Sequence, residues 1–468
     1  MRAHLVLFAL GAVVGVETAC GNSTSPHAGS GVMSGGSSGP SGGASSKSSS
    51  GITGGDAAGG SSGVTGGGSA GASSGAAGVS GGSSGGASSG GASNGGAGIG
   101  GSTSSGGSGG GGGAACVSPT SSTGMDWGKL FADSVVQNGF GTFDTGSYPV
   151  GLFMHGLYKV YKRTMDPKYL AFIASWSERN CGAPSGANVD GIMHMAACAD
   201  AYELTTNSSL KGGLDSARRI FDSYPKTTDG AFIHEAAVAG QNWGDTSFMA
   251  LSFIMRYGQV MKDTTTYGIG TTQLSLFSKH LTNPQTGLLF HAYDETGAAS
   301  WVVPGTHHSP ESWGRAMGWY VMATVMVLEA IPANDPGRPA VEQTLKNLVT
   351  SLAKFQDKSG TVPGGWWQVV DEGAMAGNWL ETSCTAMYSL GTWWAATHGL
   401  VDSSYCKVAT DGFNYVLSKA STDPTKLLTG VCEGTDVGDY AYYVGRNHAQ
   451  FNDFHGLGSF VLMWEGMR

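Results

Sequence analysis

The chain is short of positive charge. Its 468 residues carry 25 lysines and arginines against 34 aspartates and glutamates, which gives a net charge of −9. The basic residues are scattered along the sequence rather than clustered. Proteins that bind nucleic acid concentrate Lys and Arg on one face or in one segment, so the sequence argues against a nucleic-acid partner.

Cysteines at metal-binding spacing are also missing. The six that follow Cys20 are Cys116, Cys181, Cys198, Cys384, Cys406 and Cys432. No two of them form the C-x-x-C arrangement that is typical of zinc sites, so we expect no metal. The same cysteines allow disulfides if the chain is exported, but their spacing does not decide which of them pair.

Charged side chains are almost absent from residues 21–115. This segment consists almost entirely of Gly, Ser, Ala and Thr, and its charged residues are Lys47 and Asp56. It cannot bury enough apolar surface to offset the entropy of ordering it, so we expect a disordered, flexible tether. Residues 116–468 contain no second linker and are expected to form one folded domain.

Residues 1–20 have the pattern of an export signal. A short basic start precedes an apolar run from Leu5 to Val16, which is too short to span a bilayer as a helix. Cys20 resembles the lipidated cysteine of bacterial lipoproteins, although Glu17 stands where such signals usually carry Leu. We expect an outer-membrane or cell-surface lipoprotein attached only through Cys20, and a periplasmic or secreted protein is the alternative.

The folded part has the periodicity of helices. Apolar residues recur at three- and four-residue spacing, and short polar turns separate consecutive stretches. The turns repeat along the chain, as expected for helix pairs, and a sixth pair is expected from residues 126–137 and 457–464. Six pairs in a ring form an all-α (α/α)6 barrel in which the more apolar first helix of each pair lines the inside. An irregular bundle or an open solenoid is the alternative.

A candidate acid lies at a predicted helix start. Asp245 precedes an apolar run in the stretch Gln241–Met249. The simplest role for an aspartate there is a helix N-cap, because its side chain accepts a hydrogen bond from a free backbone N–H. A catalytic role requires a pocket from the rest of the chain. The longer connections between the helix pairs are rich in Trp and His, as a sugar-binding site requires.

Several segments together carry a resemblance to a known family. They are Asn188–Gly191, the pair His234 and Asp245, the pair His291 and Arg315, Ser309–Tyr320, Gly438–Arg446 and Asn452–Phe460. In this order and spacing the folded domain resembles the unsaturated rhamnogalacturonyl hydrolases, glycoside hydrolase family 105, and more distantly the unsaturated glucuronyl hydrolases of family 88. The W-x-R-x-x-G-W segment, Trp313–Trp319, is the most specific part.

The resemblance implies an (α/α)6 barrel and a particular reaction. The expected substrate is a lyase-generated oligosaccharide, such as a rhamnogalacturonan fragment, with a 4,5-unsaturated uronic acid at its non-reducing end. An aspartate protonates the vinyl ether double bond at C4 while water adds at C5. The resulting hemiketal opens and releases the rest of the oligosaccharide. No metal or organic cofactor is implied.

The resemblance also implies roles for individual residues. Asp245 becomes the catalytic acid and base, and Asp190 becomes a second catalytic carboxylate that helps to hold the sugar. Arg315 would fork onto a carboxylate. Desolvation by Trp243 would raise the pKa of Asp245, as a proton donor to carbon requires. The implied substrate-binding residues are His234, Trp243, His291, Trp313, Arg315 and Trp319.

Plainer roles remain open for several of these residues. Asp190 could cap a helix, and Arg315 could be a structural arginine buried against Glu311. Glu311 and Glu381 could be catalytic, solvated or capping groups. His307 and His308 are interpreted as loop histidines, because adjacent side chains diverge and no carboxylate spacing supports a metal.

Two further readings concern the whole chain. Another (α/α)6 carbohydrate-active enzyme, or a non-catalytic surface protein that binds glycans, would share the fold. The chain also departs from the family pattern at Gly244, Thr246 and Ala316-Met317. These departures could change the sugar that is accepted.

Overall fold

The computed structural model describes residues 116–139, 145–373 and 375–468. The expected export signal at residues 1–20 and the expected tether at residues 21–115 lie outside the described residues. Within the described ranges, no helix is both long enough and apolar enough to cross a membrane.

Helices dominate the described residues, with four short strands and two 3-10 turns, Pro119–Ser122 and Val370–Glu372. The α-helices are α1 (Trp127–Asn138), α2 (Tyr148–Thr164), α3 (Pro167–Asn180), α4 (Asp190–Met193), α5 (Met195–Thr205), α6 (Ser208–Ser223), α7 (Gly244–Met261), α8 (Thr265–Leu281), α9 (Gly314–Ala330), α10 (Arg338–Phe355), α11 (Thr382–Thr397), α12 (Tyr405–Ser418), α13 (Tyr440–Val444) and α14 (Phe454–Gly466).

Six helices form a closed inner ring. Helices α2, α5, α7, α9, α11 and α14 each pack against the next, and α14 closes the ring onto α2. The outer helices α3, α6, α8, α10 and α12 each pack on the inner helix that precedes them. Helix α1 packs on α14, so the two ends of the domain form the sixth pair, as predicted. The fold is therefore an all-α (α/α)6 toroid.

The inner and outer helices differ in burial, as their sequences predict. Helices α7 and α9 are buried on nearly every side. The outer helix α6 buries one stripe at three- and four-residue spacing, Leu210, Gly213, Leu214, Ala217 and Phe221. An amphipathic helix covers the ring from outside, whereas a helix that is apolar all round must lie within it.

Short strands pin the connections that lead into the inner helices. Strand β1 (Gln241–Trp243) runs directly into α7 and pairs antiparallel with β2 (Ala292–Asp294), with Trp243 opposite Ala292. Strand β3 (Trp366–Trp367) pairs with β4 (Leu380–Glu381), which leads into α11. Each pairing fixes the chain immediately before the first turn of an inner helix.

Two disulfides connect separate segments of the toroid. Cys116 pairs with Cys406 of α12, and Cys181, which follows α3, pairs with Cys198 of α5. Cys384 and Cys432 are buried and unpaired. The first disulfide closes a loop of 290 residues and the second a loop of 17.

Candidate active site

The predicted site residues collect at the N-terminal ends of the inner helices, which we call the site face. Asp245 is the second residue of α7, and Arg315 is the second residue of α9. Asp190 begins α4, which directly precedes α5. His234 and His291 lie in the connections before α7 and α9 and interact with these carboxylates. Residues from three connections therefore meet at one place.

Asp245 is held by a chain of hydrogen bonds, which we call the Asp245 chain. His291 Nε2 lies 3.0 Å from Asp245 Oδ2, and His291 Nδ1 lies 2.7 Å from the hydroxyl of Tyr443. The backbone N–H of Gly438 donates to that hydroxyl over 3.0 Å. Burial raises the pKa of Tyr443 well above its usual value, so its phenol stays protonated and donates to Nδ1. The neutral imidazole then carries its proton on Nε2 and donates it to Asp245.

A second histidine and a tryptophan form a wall beside Asp190. The rings of His234 and Trp243 stack with centroids 4.1 Å apart and 5° between their planes. His234 Nδ1 lies 3.2 Å from the hydroxyl of Thr246, and His234 Nε2 lies 3.7 Å from Asp190 Oδ2. Trp243 also meets His291 edge to face. One wall therefore contacts Asp190 directly and Asp245 through His291.

Neither carboxylate acts as a helix cap. Helix α7 is preceded by Trp243, and the side chain of Asp245 turns to His291 instead of the backbone. At α4, Asn188 Oδ1 accepts the backbone N–H of Gly191 over 2.9 Å. The capping interpretation of Asp190 and Asp245 is wrong, since neighbouring groups satisfy both helix starts.

Arg315 is buried and binds backbone carbonyls. Its two terminal nitrogens donate to the carbonyl oxygens of Cys432 and Glu433, each over 2.6 Å. Its guanidinium lies over the ring of Trp313, 4.9 Å from the centroid. The nearest carboxylate is Glu381, with 3.9 Å between Nη1 and Oε1, so the pairing with Glu311 is wrong. The geometry supports a role in fixing the loop at residues 432–433, and direct binding of a substrate carboxylate stays a prediction.

The three predicted tryptophans differ in exposure. Trp313 and Trp319 are each only 1% exposed, whereas Trp243 is half-buried. Trp313 lies 4.5 Å from the ring of His291, and Trp319 stacks on Phe248 with centroids 5.1 Å apart. Stacking on a sugar requires an exposed ring face, so Trp243 is the candidate for it. Trp313 and Trp319 pack behind the groups at the surface.

Three further residues at the site face were missed by the sequence analysis. Asp453 Oδ1 lies 2.6 Å from Nδ1 of His455, and His455 Nε2 lies 2.7 Å from the hydroxyl of Tyr148. We call this the Asp453 chain. Asp453 and His455 lie in Asn452–Phe460, a segment that carries the family resemblance. That resemblance was the signal by which the sequence could have identified them. Tyr148 begins α2 and carried no comparable signal.

The comparisons with known proteins agree with this fold. The model of "Glycosyl Hydrolase Family 88" matches residues 129–467. The chain belongs to glycoside hydrolase family 88. It is 24% identical over 269 residues to the unsaturated rhamnogalacturonyl hydrolase YesR of Bacillus subtilis, which covers 54% of this chain and 72% of that protein.

Two more relatives extend the comparison. An unsaturated 3S-rhamnoglycuronyl hydrolase of an Alteromonas species is 23% identical over 185 residues, which is 40% of this chain and 42% of that protein. A family 105 glycoside hydrolase structure from C. acetobutylicum is 29% identical, with a TM-score of 0.67 over 73% of this chain and 99% of that one. This protein is accordingly a glycoside hydrolase.

The pKa values of the two carboxylates of this family 88 enzyme shift in opposite directions. Desolvation acts to raise the pKa of Asp245, but the hydrogen bond from His291 and the electrostatic interactions with His291, His234 and Arg315 outweigh it and leave the pKa lowered. The expectation of a raised pKa for Asp245 is wrong, because the interactions with His291, His234 and Arg315 lower the pKa by more than desolvation raises it. Desolvation raises the pKa of Asp190, since the opposing charge of His234 does not cancel it and the charge of Asp245 adds to it.

Two of the departures from the family pattern contact each other. A Cβ atom on Gly244 would lie 3.0 Å from the Cβ of Ala316, so the missing side chain allows α7 and α9 to approach closely. Met317 Sδ lies 3.2 Å from the backbone nitrogen of Leu289. Thr246 is different, because its hydroxyl contacts His234 directly. Gly244 also contacts a predicted site residue, since its backbone N–H donates to the carbonyl oxygen of His291 over 2.8 Å.

The remaining candidates have plainer surroundings. Glu381 is fully buried and accepts the backbone N–H groups of Cys384 and Cys432, so it caps α11. Burial and the nearby acids Glu372 and Asp371 raise the pKa of Glu311 to about 7. His307 and His308 each contact a backbone carbonyl, as loop histidines do. In the described ranges, no group of three His, Cys, Asp or Glu side chains could hold a metal ion.

Proposed function

We propose that this enzyme removes a 4,5-unsaturated uronic acid, most simply unsaturated galacturonate, from the non-reducing end of lyase-generated oligosaccharides such as rhamnogalacturonan fragments. The names of two relatives support the class of substrate, since both are hydrolases of unsaturated uronyl sugars. The observation that carries the proposal is the Asp245 chain, which holds a carboxylate at the site face beside the second carboxylate, Asp190.

Asp245 is the proposed proton donor to C4. In the free enzyme its lowered pKa keeps it ionised beside His291. A bound uronate brings another negative charge next to Asp245, and a nearby like charge raises the pKa of a carboxylic acid. Asp245 thus takes up its proton when substrate binds. The proton passes to C4 as water adds at C5, and the hemiketal then opens.

The surroundings of the site also favour an anionic sugar. The inner helices α2, α7, α9 and α14 all begin at the site face. The N-terminus of a helix carries a partial positive charge and free N–H groups, which stabilise anions. The terminal nitrogens of Arg315 are taken up by carbonyl oxygens, so these helix ends are the proposed source of positive potential for the anion.

The ultraviolet absorbance of the conjugated uronate provides the test. The purified full chain is mixed with rhamnogalacturonan oligosaccharides made by a lyase, and with other unsaturated and saturated uronides as separate arms. Loss of absorbance with the pectic substrate, and none with Asp245→Asn, is the expected result. Turnover of saturated uronides or neutral sugars alone would indicate another glycosidase reaction and refute the proposal.

We further propose that the enzyme is exported and attached to a membrane surface through a lipid on Cys20. The support is the sequence pattern of residues 1–20. Incorporation of labelled fatty acid into the wild-type chain, and none into Cys20→Ala, is expected in a bacterial host. Release of the wild-type protein into the medium without label would support plain secretion instead.

A further inference from the structure

The Asp453 chain has no role in the proposed reaction so far. It resembles the Asp245 chain in composition but runs in the opposite direction, with the tyrosine at the site face. The inference below rests on the proposed function, because it concerns the fate of a proton of the attacking water.

The direction of each hydrogen bond in this chain follows from its donors and acceptors. Asp453 Oδ1 accepts the backbone N–H of His455 over 2.9 Å and lies 2.6 Å from His455 Nδ1. A carboxylate accepts only, so Nδ1 carries the ring proton. In the uncharged form of the ring, Nε2 has a lone pair, which accepts a hydrogen bond from the hydroxyl of Tyr148 over 2.7 Å. The remaining lone pairs of the Tyr148 oxygen are free to accept a proton.

The hydroxyl of Tyr148 lies among the groups of the site. Its electrostatic partners are Asp190, Arg315, Asp245 and Asp453, and His455 in turn interacts with Asp190. Tyr148 is half-buried and is the first residue of α2, whose N-terminal end lies at the site face. Its ring meets Trp319 edge to face with centroids 6.3 Å apart, which fixes the direction of the hydroxyl.

We propose that Tyr148 is a catalytic residue that accepts a proton from the water attacking C5, and that His455 and Asp453 are positioning residues acting through it. As the water oxygen bonds to C5, one O–H bond of the water breaks and its proton moves to the Tyr148 oxygen. The phenol proton moves to His455 Nε2 in the same step, and Asp453 stabilises the imidazolium. Asp245 delivers its proton to C4, so the double bond becomes a single bond and the net charge of the site does not change.

The same groups restore the resting enzyme. When the hemiketal opens, the ring oxygen that leaves C5 takes the proton that His455 returns through Tyr148. The C5 hydroxyl loses its proton to Asp245 as the ketone forms. The former ring oxygen is now a hydroxyl of a hemiacetal at C1. As this hemiacetal collapses to an aldehyde, the glycosidic bond breaks and the hydroxyl proton passes to the leaving oxygen, so the rest of the oligosaccharide leaves as an alcohol. Each proton that the enzyme took up is released, and no oxidant, metal or further reactant is needed. Acid and base duties then belong to two different chains instead of to Asp245 alone.

The test uses the full-length protein and the absorbance assay. We expect Tyr148→Phe and His455→Gln each to lower kcat by about 10²-fold or more, with KM changed by less than about threefold. Glutamine retains a hydrogen-bond acceptor for the Tyr148 hydroxyl but cannot take up its proton. The double variant is expected to be no slower than either single variant, since the two residues act as one unit. Asp453→Asn is expected to lower kcat about tenfold.

The matched control is Tyr158→Phe. Tyr158 lies on the same helix, α2, and its hydroxyl donates to Glu203 over 2.9 Å. Its kcat is expected to equal that of the wild type, and circular dichroism checks the folding of every variant. If His455→Gln fails to fold, Tyr148→Phe decides the question alone.

Three results would overturn the inference. A raised KM with unchanged kcat in Tyr148→Phe would make the hydroxyl a sugar ligand. Full activity of a folded His455→Gln would remove the relay while leaving the proposed function intact. A wild-type enzyme inactive on all unsaturated uronides would remove both together, so the two failures are distinguishable.

Discussion

The site face contains two hydrogen-bonded chains of Asp, His and Tyr that run in opposite directions. In the Asp245 chain the carboxylate is at the site, and Tyr443 lies behind it, fixed by the N–H of Gly438. In the Asp453 chain the hydroxyl of Tyr148 is at the site, and the carboxylate lies behind it. The same three residue types therefore present an acid on one side and a hydroxyl on the other.

The backbone decides which end faces the site. Asp453 precedes α14 and is the cap of that helix, so its carboxylate is committed to the first N–H groups. Asp245 lies inside the first turn of α7, where its side chain is free of the backbone and points to His291. A shift of two residues relative to the helix start thus separates a structural aspartate from a candidate acid.

The largest effect is expected from changing the group at the site end of the Asp245 chain. Asp245→Asn keeps the shape and a hydrogen bond to His291 but cannot deliver a proton to C4. We expect kcat to fall by about 10³- to 10⁴-fold. The absorbance assay measures the loss, and an unchanged melting temperature is the control. Residual activity above a tenth of the wild-type value would show that another residue is the acid.

A smaller loss is expected at the far end of the same chain. Tyr443→Phe removes the donor to His291 Nδ1 and the partner of Gly438 N–H, so the imidazole is no longer held in one tautomer. One hydrogen bond of about 1–1.5 kcal/mol corresponds to a loss of about tenfold in kcat. Tyr148→Phe should lower kcat further, because the hydroxyl of Tyr148 takes part in the addition of water at C5. Equal losses in the two variants would contradict the difference that we draw between the chains.

The two directions of pKa shift predict opposite effects on stability. The pKa of Asp190 is raised in the folded state, so its ionisation destabilises the fold as pH rises above the usual value. The pKa of Asp453 is lowered, so its stabilisation is present above the usual value and is lost as pH falls through the lowered one. Asp190→Asn should therefore melt higher than the wild type at pH 7, and Asp453→Asn lower, each by about 1–2 °C.

Melting curves at pH 7 and at pH 3 check the sign. At the lower pH most of the difference between wild type and Asp190→Asn should vanish, because Asp190 is then protonated in both the folded and unfolded states. An Asp190→Asn variant that is less stable than the wild type at pH 7 would show that the carboxylate is better paired than its contacts indicate.

The sequence predicts those features that are encoded locally. The six helix pairs follow from three- and four-residue spacing and short turns, and the structure has them. The resemblance carried by motifs assigned Asp245 and His291 to one site, as a catalytic and a substrate-binding residue, but did not predict the hydrogen bond between them. Burial of α7 and α9 on all sides follows from their uniform apolarity.

The remaining features depend on partners that are distant in the chain. Tyr148 and His455 are separated by 307 residues, and Arg315 is 117 residues from Cys432, the first carbonyl that it binds. No periodicity connects such pairs. The predicted direction of the pKa shift of Asp245 was wrong for the same reason. Local sequence shows Trp243, whereas the hydrogen bond that lowers the pKa comes from His291, 46 residues away.

The smallest effect is expected at a departure from the family pattern that supports the wall of the site. The Thr246 hydroxyl lies 3.2 Å from His234 Nδ1 and accepts the backbone N–H of Trp243 over 3.4 Å. Thr246→Val keeps the volume and removes both contacts, which are long and therefore weak. We expect KM to rise about two- to threefold with kcat unchanged, since the stack of His234 and Trp243 remains in place. Thr246→Ser retains the hydroxyl and should match the wild type, because His234 then keeps its partner. A large fall of kcat in Thr246→Val would mean that His234 serves the acid chemistry of Asp245 rather than the binding of the sugar.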